Sequence, residues 1–163
     1  MIILSIIVAI VVIELLALAW LAMSVGHYKA FWTDKAQGTG EITYLALGDS
    51  AAQGIGATSP MRGYVGLVAK RLEQKTGKSV RIVNISKTGA KMGDYLTEQA
   101  PQIKNIKADF VTIEIGANDV ASFDAIRYRS EFRQVLSSLP DGAHVANMPL
   151  FNSRPSSTNK ASQ

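Results

Sequence analysis

Ser50, Gly89 and Asn118 are the residues whose types and spacing can do chemistry together. They lie in Gly48-Asp49-Ser50, in Lys87-Thr88-Gly89 and in Gly116-Ala117-Asn118-Asp119. Ester hydrolysis needs a nucleophile, a base to take its proton, and donors aimed at the oxygen that becomes negative in the tetrahedral intermediate. Ser50 offers the hydroxyl. The backbone N–H groups of Ser50 and Gly89 and the side-chain amide of Asn118 offer three donors. Glycine at position 89 lets a backbone amide approach a substrate with no side chain between them, and Gly116 permits the tight turn that presents Asn118. Taken singly, each station has an ordinary explanation: Gly-Asp-Ser is a common turn, and Asn-Asp after a strand often caps a helix. What joins them is that each follows a strand-like apolar run, in order.

Those runs are residues 42–47, 80–85 and 110–115, and the stretches between them are long enough for a helix. Residues 64–72 carry apolar side chains at helical spacing, with Gly77 to close the helix. A second helix is expected from about Asp94, as N-cap, towards Ile106, with Pro101 awkward inside it. A third runs from Ser122 or Asp124 to Leu139, with Ile126, Phe132, Val135, Leu136 and Leu139 on one face. Pro140-Asp141-Gly142 then turns the chain into a fourth strand over 143–148. Strands alternating with helices predict an α/β fold with a mainly parallel sheet covered on both faces. In such a sheet the three stations share the edge where ligands bind.

Roughly 120 residues follow an apolar N-terminus, enough for one core and one domain. The 17 Lys+Arg exceed the 13 Asp+Glu by four, but they are dispersed, with no basic tract and no basic-aromatic alternation, which argues against nucleic acid as a partner. Absence of cysteine removes disulfide and thiolate chemistry, and two histidines without metal-ligand spacing argue against zinc. No obligate protein partner is indicated.

Residues 2–25 are almost wholly apolar, and their one charge is Glu14. Fifteen Ile, Leu and Val side chains there contribute about −5 to −9 kcal/mol to insertion, against about +2.5 to +3.5 kcal/mol for one acidic residue near the centre. A transmembrane anchor over 1–26 is therefore expected, followed by a linker over 27–40 and a domain over 41–163. The competing reading is a signal peptide cleaved near Ala22-Met23-Ser24, which would release the domain. The length of the run and the lack of Lys or Arg before it favour the uncleaved anchor. Lys29 and Lys35 follow the segment, and the positive-inside tendency then favours the cytoplasmic side, on two charges only.

Together the three stations resemble the SGNH (GDSL) hydrolases, a family of esterases, lipases and deacetylases acting on acyl groups. The first block, Gly-Asp-Ser-x-x-x-Gly, is Gly48-Asp49-Ser50-Ala51-Ala52-Gln53-Gly54. The second-block glycine is Gly89, and the third block, Gly-x-Asn-Asp, is Gly116-Ala117-Asn118-Asp119. The resemblance covers roughly residues 42–151. It implies a flavodoxin-like three-layer α/β/α sandwich with Ser50 as nucleophile and first oxyanion donor, and with Gly89 and Asn118 completing the oxyanion hole. The implied substrate is a small-molecule or lipid acyl ester, and the chemistry requires no metal or organic cofactor. The nucleophile elbow Gly-x-Ser-x-Gly of α/β-hydrolases does not fit around Ser50.

The family's fourth element is an Asp-x-x-His after a fifth strand. Asp141-Gly142-Ala143-His144 has that spacing, but it leads into the fourth strand and reads as a turn followed by a strand histidine; His27 sits beside the membrane segment. The resemblance thus implies a domain incomplete on its C-terminal side, with a sheet edge prone to self-association. These 163 residues alone are expected to hydrolyse esters weakly or not at all, since loss of the histidine costs about 10⁶ in subtilisin. A reading of another class is a catalytically inactive, membrane-anchored binding module that keeps the cleft. Nucleotide binding rests only on Gly54-Ile55-Gly56, which lacks a third glycine and a phosphate-binding lysine.

Overall fold

Alternation along three strands covers both faces of a parallel sheet. In the computed structural model, which describes residues 2–147, β1 (Ile42–Gly48), β2 (Val80–Asn84), β3 (Phe110–Glu114) and β4 (His144–Val145) lie in the order β2-β1-β3-β4, every pair parallel. Successive strand side chains point to opposite faces. Leu45, Leu47, Val83, Val111 and Ile113 therefore share one core with Met92, Tyr95 and Val135. Tyr44, Ala46 and Ile82 pack on the other side with Trp32, Ala52, Val65 and Ala69. This is the expected α/β/α layering. The end of the expected fourth strand, from Met148 on, lies outside the described residues.

The first helix, α1 (Ile2–Lys35), corrects the expectation of a loose linker after residue 26. It continues without a break to Lys35 because Tyr28, Phe31 and Trp32 stand at i, i+3 and i+4, a short stripe that finds partners on the domain. Tyr28 and Trp32 are buried. The Tyr28 hydroxyl donates to the Ala57 carbonyl (2.7 Å) and the Trp32 Nε1–H to the Gln53 carbonyl (2.9 Å).

After β1 comes the short α2 (Ser50–Gln53), then α3 (Tyr64–Thr76), which ends as expected on Gly77 in the left-handed conformation. The next helical run begins earlier than Asp94. It comprises α4 (Met92–Asp94), a π-turn over Tyr95–Gln99 and α5 (Ala100–Ile103). Lys91 is the N-cap, and Asp94 reaches back to accept the Lys91 N–H at 2.9 Å. Pro101 is tolerated because the π-turn restarts the helix just before it, so its missing N–H falls in a first turn, where no intrahelical bond is due.

α6 (Ala125–Ser138) starts on Asp124, whose carboxylate accepts the Ile126 and Arg127 N–H groups, both at 2.9 Å. Those bonds, Arg127's first, hold its pKa below the usual carboxylate value. Val135 is the fully buried residue of α6, while Ile126, expected on its apolar face, is 84% exposed. Two residues from the N-cap, it lies in the first turn of the helix.

Gly48 closes β1 with φ +128, and a Cβ there would lie 1.9 Å from the Glu114 carbonyl oxygen. Gly48→Ala is therefore expected to cost about 2–4 kcal/mol from backbone strain plus overpacking. The expected result is a lower denaturant midpoint at unchanged slope.

Candidate active site

The turn after β1 is built to present Ser50. The Asp49 N–H donates to the Glu114 carbonyl (3.2 Å), continuing the β1–β3 pairing past Gly48. The Asp49 carboxylate then caps α2 by accepting the Ala51 N–H (3.0 Å), so Ser50 becomes the first residue of the helix. Gly54, left-handed at φ +80, ends α2 after one turn. Ser50 is half-buried, and its hydroxyl makes no hydrogen bond to another described residue.

Buried amides that sequence reasoning did not single out tie this turn to the loop after β2. Gln53 donates to the Ser86 carbonyl (2.9 Å) and accepts from the Thr88 hydroxyl. Asn84 donates to the Ala52 carbonyl (2.7 Å), and its oxygen accepts both the N–H and the hydroxyl of Ser86. Gln99, placed by the π-turn, grips both backbone groups of Gly48, accepting its N–H at 2.9 Å and donating to its carbonyl at 2.8 Å. The only signal for Asn84 was a polar residue inside an apolar strand; for Gln99 there was none.

Gly89 adopts φ +79 with open space where a Cβ would stand. Its N–H and that of Ser50 have no hydrogen-bond acceptor among the described residues. Asn118 lies in the 3₁₀ segment Ala117–Ser122 after β3 and joins the other two stations. Its Nδ2 donates to Asp49 Oδ2 (2.9 Å) and to the carbonyl of Ala90, next to Gly89 (3.0 Å). Asp119 is buried and accepts the Met92 N–H (3.1 Å). Burial raises its pKa above the ordinary value, opposed by that hydrogen bond. It caps the helical run after β2.

Next to the serine turn, opposite Gly48 on β3, lies a partly buried carboxyl. Burial, then the charge and hydrogen bonding of Asp49, push the Glu114 carboxyl up to about 7, and its Oε2 has no hydrogen-bond partner among the described residues. Tyr44 hydrogen-bonds Thr112 (2.7 Å) and is pushed up to about 12 by burial, which raises Tyr64 as well. Folded Glu114 thus keeps a proton that the unfolded chain loses above its ordinary value of 4.5. The penalty is absent below that value, grows as pH rises towards 7, and is constant above. Between about pH 5 and 7.5 the protein should lose about 1–2 kcal/mol of stability, less than the full shift implies because the carboxyl is partly solvated. Glu114→Gln should flatten that slope in denaturation measured across the range.

The site can therefore offer a hydroxyl, two unused N–H groups and a positioned amide at one sheet edge. The model of the GDSL-like lipase/acylhydrolase family matches residues 46–162, a span that holds all three stations. The chain belongs to this family.

Among solved structures, this GDSL-like hydrolase is similar to TesA, with 26% identity over 74% of this chain and 68% of that chain and a TM-score of 0.55. It is also similar to AlinE4, an SGNH-hydrolase family esterase, with 20% identity over 77% of this chain and 69% of that one and a TM-score of 0.63. A variant of an acetyl xylan esterase from Geobacillus stearothermophilus has 22% identity over 74% and 67%, with a TM-score of 0.57. No curated protein matches the chain.

The GDSL-like fold leaves His144 away from Ser50. It pairs with Thr112 at the start of β4, and its ring packs against Phe110, 4.7 Å between centroids, back towards the opposite end of β3. Ser50 follows the far end of β1.

Proposed function

We propose that this GDSL-like hydrolase is a serine hydrolase of carboxylic acyl esters, held on a membrane by α1. Ser50 Oγ attacks the acyl carbonyl and gives up its proton to a base. The N–H groups of Ser50 and Gly89, with one amide N–H of Asn118, receive the oxyanion. Collapse expels the alcohol, and water then releases the acid from Ser50. The observation that carries this reading is the pair of unused N–H groups beside an amide held by Asp49 and Ala90. Preorganised donors of this kind usually contribute more than any other single effect to the acceleration of acyl transfer.

Residues 1–26 are assigned as the anchor and 41–163 as the hydrolase domain, joined through 27–40. α1 is long and apolar enough to cross a bilayer. The place of His144 favours a second reading, an inactive binding module that keeps the cleft. Incubation with a fluorophosphonate followed by peptide mass spectrometry decides between them. An adduct on Ser50 supports the hydrolase; bound ester ligand with no adduct at Ser50 supports the module.

A further inference from the structure

A cavity of about 520 Å³ opens between α1 and the loop after β2, lined among others by Val25 and Lys29 of α1, Gln53 of the nucleophile turn, and Ser86, Lys87 and Thr88. Its position follows from the docking of α1. At 1.5 Å per residue the apolar run over 2–25 is about 36 Å long, against a hydrocarbon core of about 30 Å. The core boundary then falls at or just before Val25, on the rim of the cavity. Trp32 stands about 10 Å further along the helix and is bonded to the Gln53 carbonyl. Gln53 in turn is one helical turn, about 5 Å, from Ser50. A head-group layer is about 5–8 Å deep, so the contact of Trp32 with Gln53, in the same short helix as Ser50, lies just past that layer along α1. Two lysines, Lys29 and Lys87, and one carboxylate, Glu98, line the cavity, and Lys87 pairs with that carboxylate at 2.6 Å. The balance is one positive charge.

We infer that this cavity admits a phosphate-bearing, ester-linked lipid from the bilayer that holds α1 and delivers its acyl ester to Ser50. The inference rests on the membrane-anchored hydrolase reading and narrows its substrate to lipids of the anchor's own membrane. Val25 meets the acyl chain and Lys29 the phosphate, while Gln53 and Thr88 form the wall on the side of the nucleophile, Gln53 one helical turn from Ser50. A loosely tethered domain would have no such preference; one seated through Tyr28 and Trp32 does.

The test reconstitutes the full chain in phosphatidylcholine–phosphatidylglycerol vesicles carrying a phosphatidylglycerol with a diazirine on its acyl chain. After irradiation, cross-linked peptides are mapped, and fluorophosphonate labelling of Ser50 is measured on the same samples. Cross-links are expected on residues 85–102 as well as on α1. A flexible Gly-Ser insertion after Gly26 should lower the cross-links over 85–102 by about tenfold or more, the loss of local concentration that a flexible tether brings. Lys29→Glu should lower them severalfold, with Ser50 labelling unchanged in both variants. Cross-links confined to residues 2–24, or insensitive to both changes while Ser50 still labels, overturn the inference. Cross-links as expected without any labelling of Ser50 would uphold the lipid site and overturn the hydrolase reading alone.

Discussion

Ser50→Ala is expected to abolish the fluorophosphonate adduct and yet to lower ester turnover by the 163-residue chain by less than about tenfold. The reason is the non-additivity of groups that act as a unit: in subtilisin, losing serine or histidine alone costs about as much as losing the whole triad. Here the one histidine among residues 41–163, His144, packs on Phe110 rather than facing the serine. Turnover is then already near the residual level that donors and binding supply, about 10³–10⁴ over water, and the serine hydroxyl adds little to it. Labelling is different in kind, because it requires the Ser50 oxygen itself. Stability should move by less than about 0.5 kcal/mol, since that oxygen has no partner among the described residues to lose. Fast turnover lost in both Ser50→Ala and His144→Ala would show instead that His144 swings in as the base.

How much of this was legible in the sequence follows from the range of the interactions involved. The strands of the buried sheet are legible in local apolar runs, and the caps Gly77 and Asp124 in local capping chemistry. Ser50, Gly89 and Asn118 stood out because glycine and polar residues directly after a strand break its pattern. Gln99 was hidden: it is an ordinary polar residue in a helix until a π-turn, itself unreadable, rotates it onto Gly48, 51 positions away. The docked end of α1 is hidden for a similar reason. Tyr28, Phe31 and Trp32 make too short a stripe to register as a periodicity, and their partners, such as the carbonyls of Ala57 and Gln53, are known only from the fold. Pro101 disturbs the helical pattern, and the chain resolves it by changing helix type rather than by ending the helix.

Asn118→Ala should slow phosphonylation of Ser50 by about 10²–10³, the usual cost of one oxyanion donor. In the resting site both amide protons of Asn118 are engaged, one by Asp49 and one by Ala90. To serve the oxyanion, the amide must exchange the neutral Ala90 carbonyl for the developing charge while keeping the carboxylate. That exchange is favourable, because hydrogen bonds to an ionised acceptor are roughly twice as strong as neutral ones, and it is short, because Ala90 adjoins the waiting Gly89 N–H. Asp49 acts here as a positioning residue. Asp49→Ala should therefore slow phosphonylation by about tenfold or more, the equivalent of one lost hydrogen bond to a charged group. In the Asn118→Ala background the same change should slow it hardly at all. Independent, multiplying losses would mean that Asp49 works only through its cap on α2, and that the Asn118 amide is a structural bridge rather than a donor to the reaction.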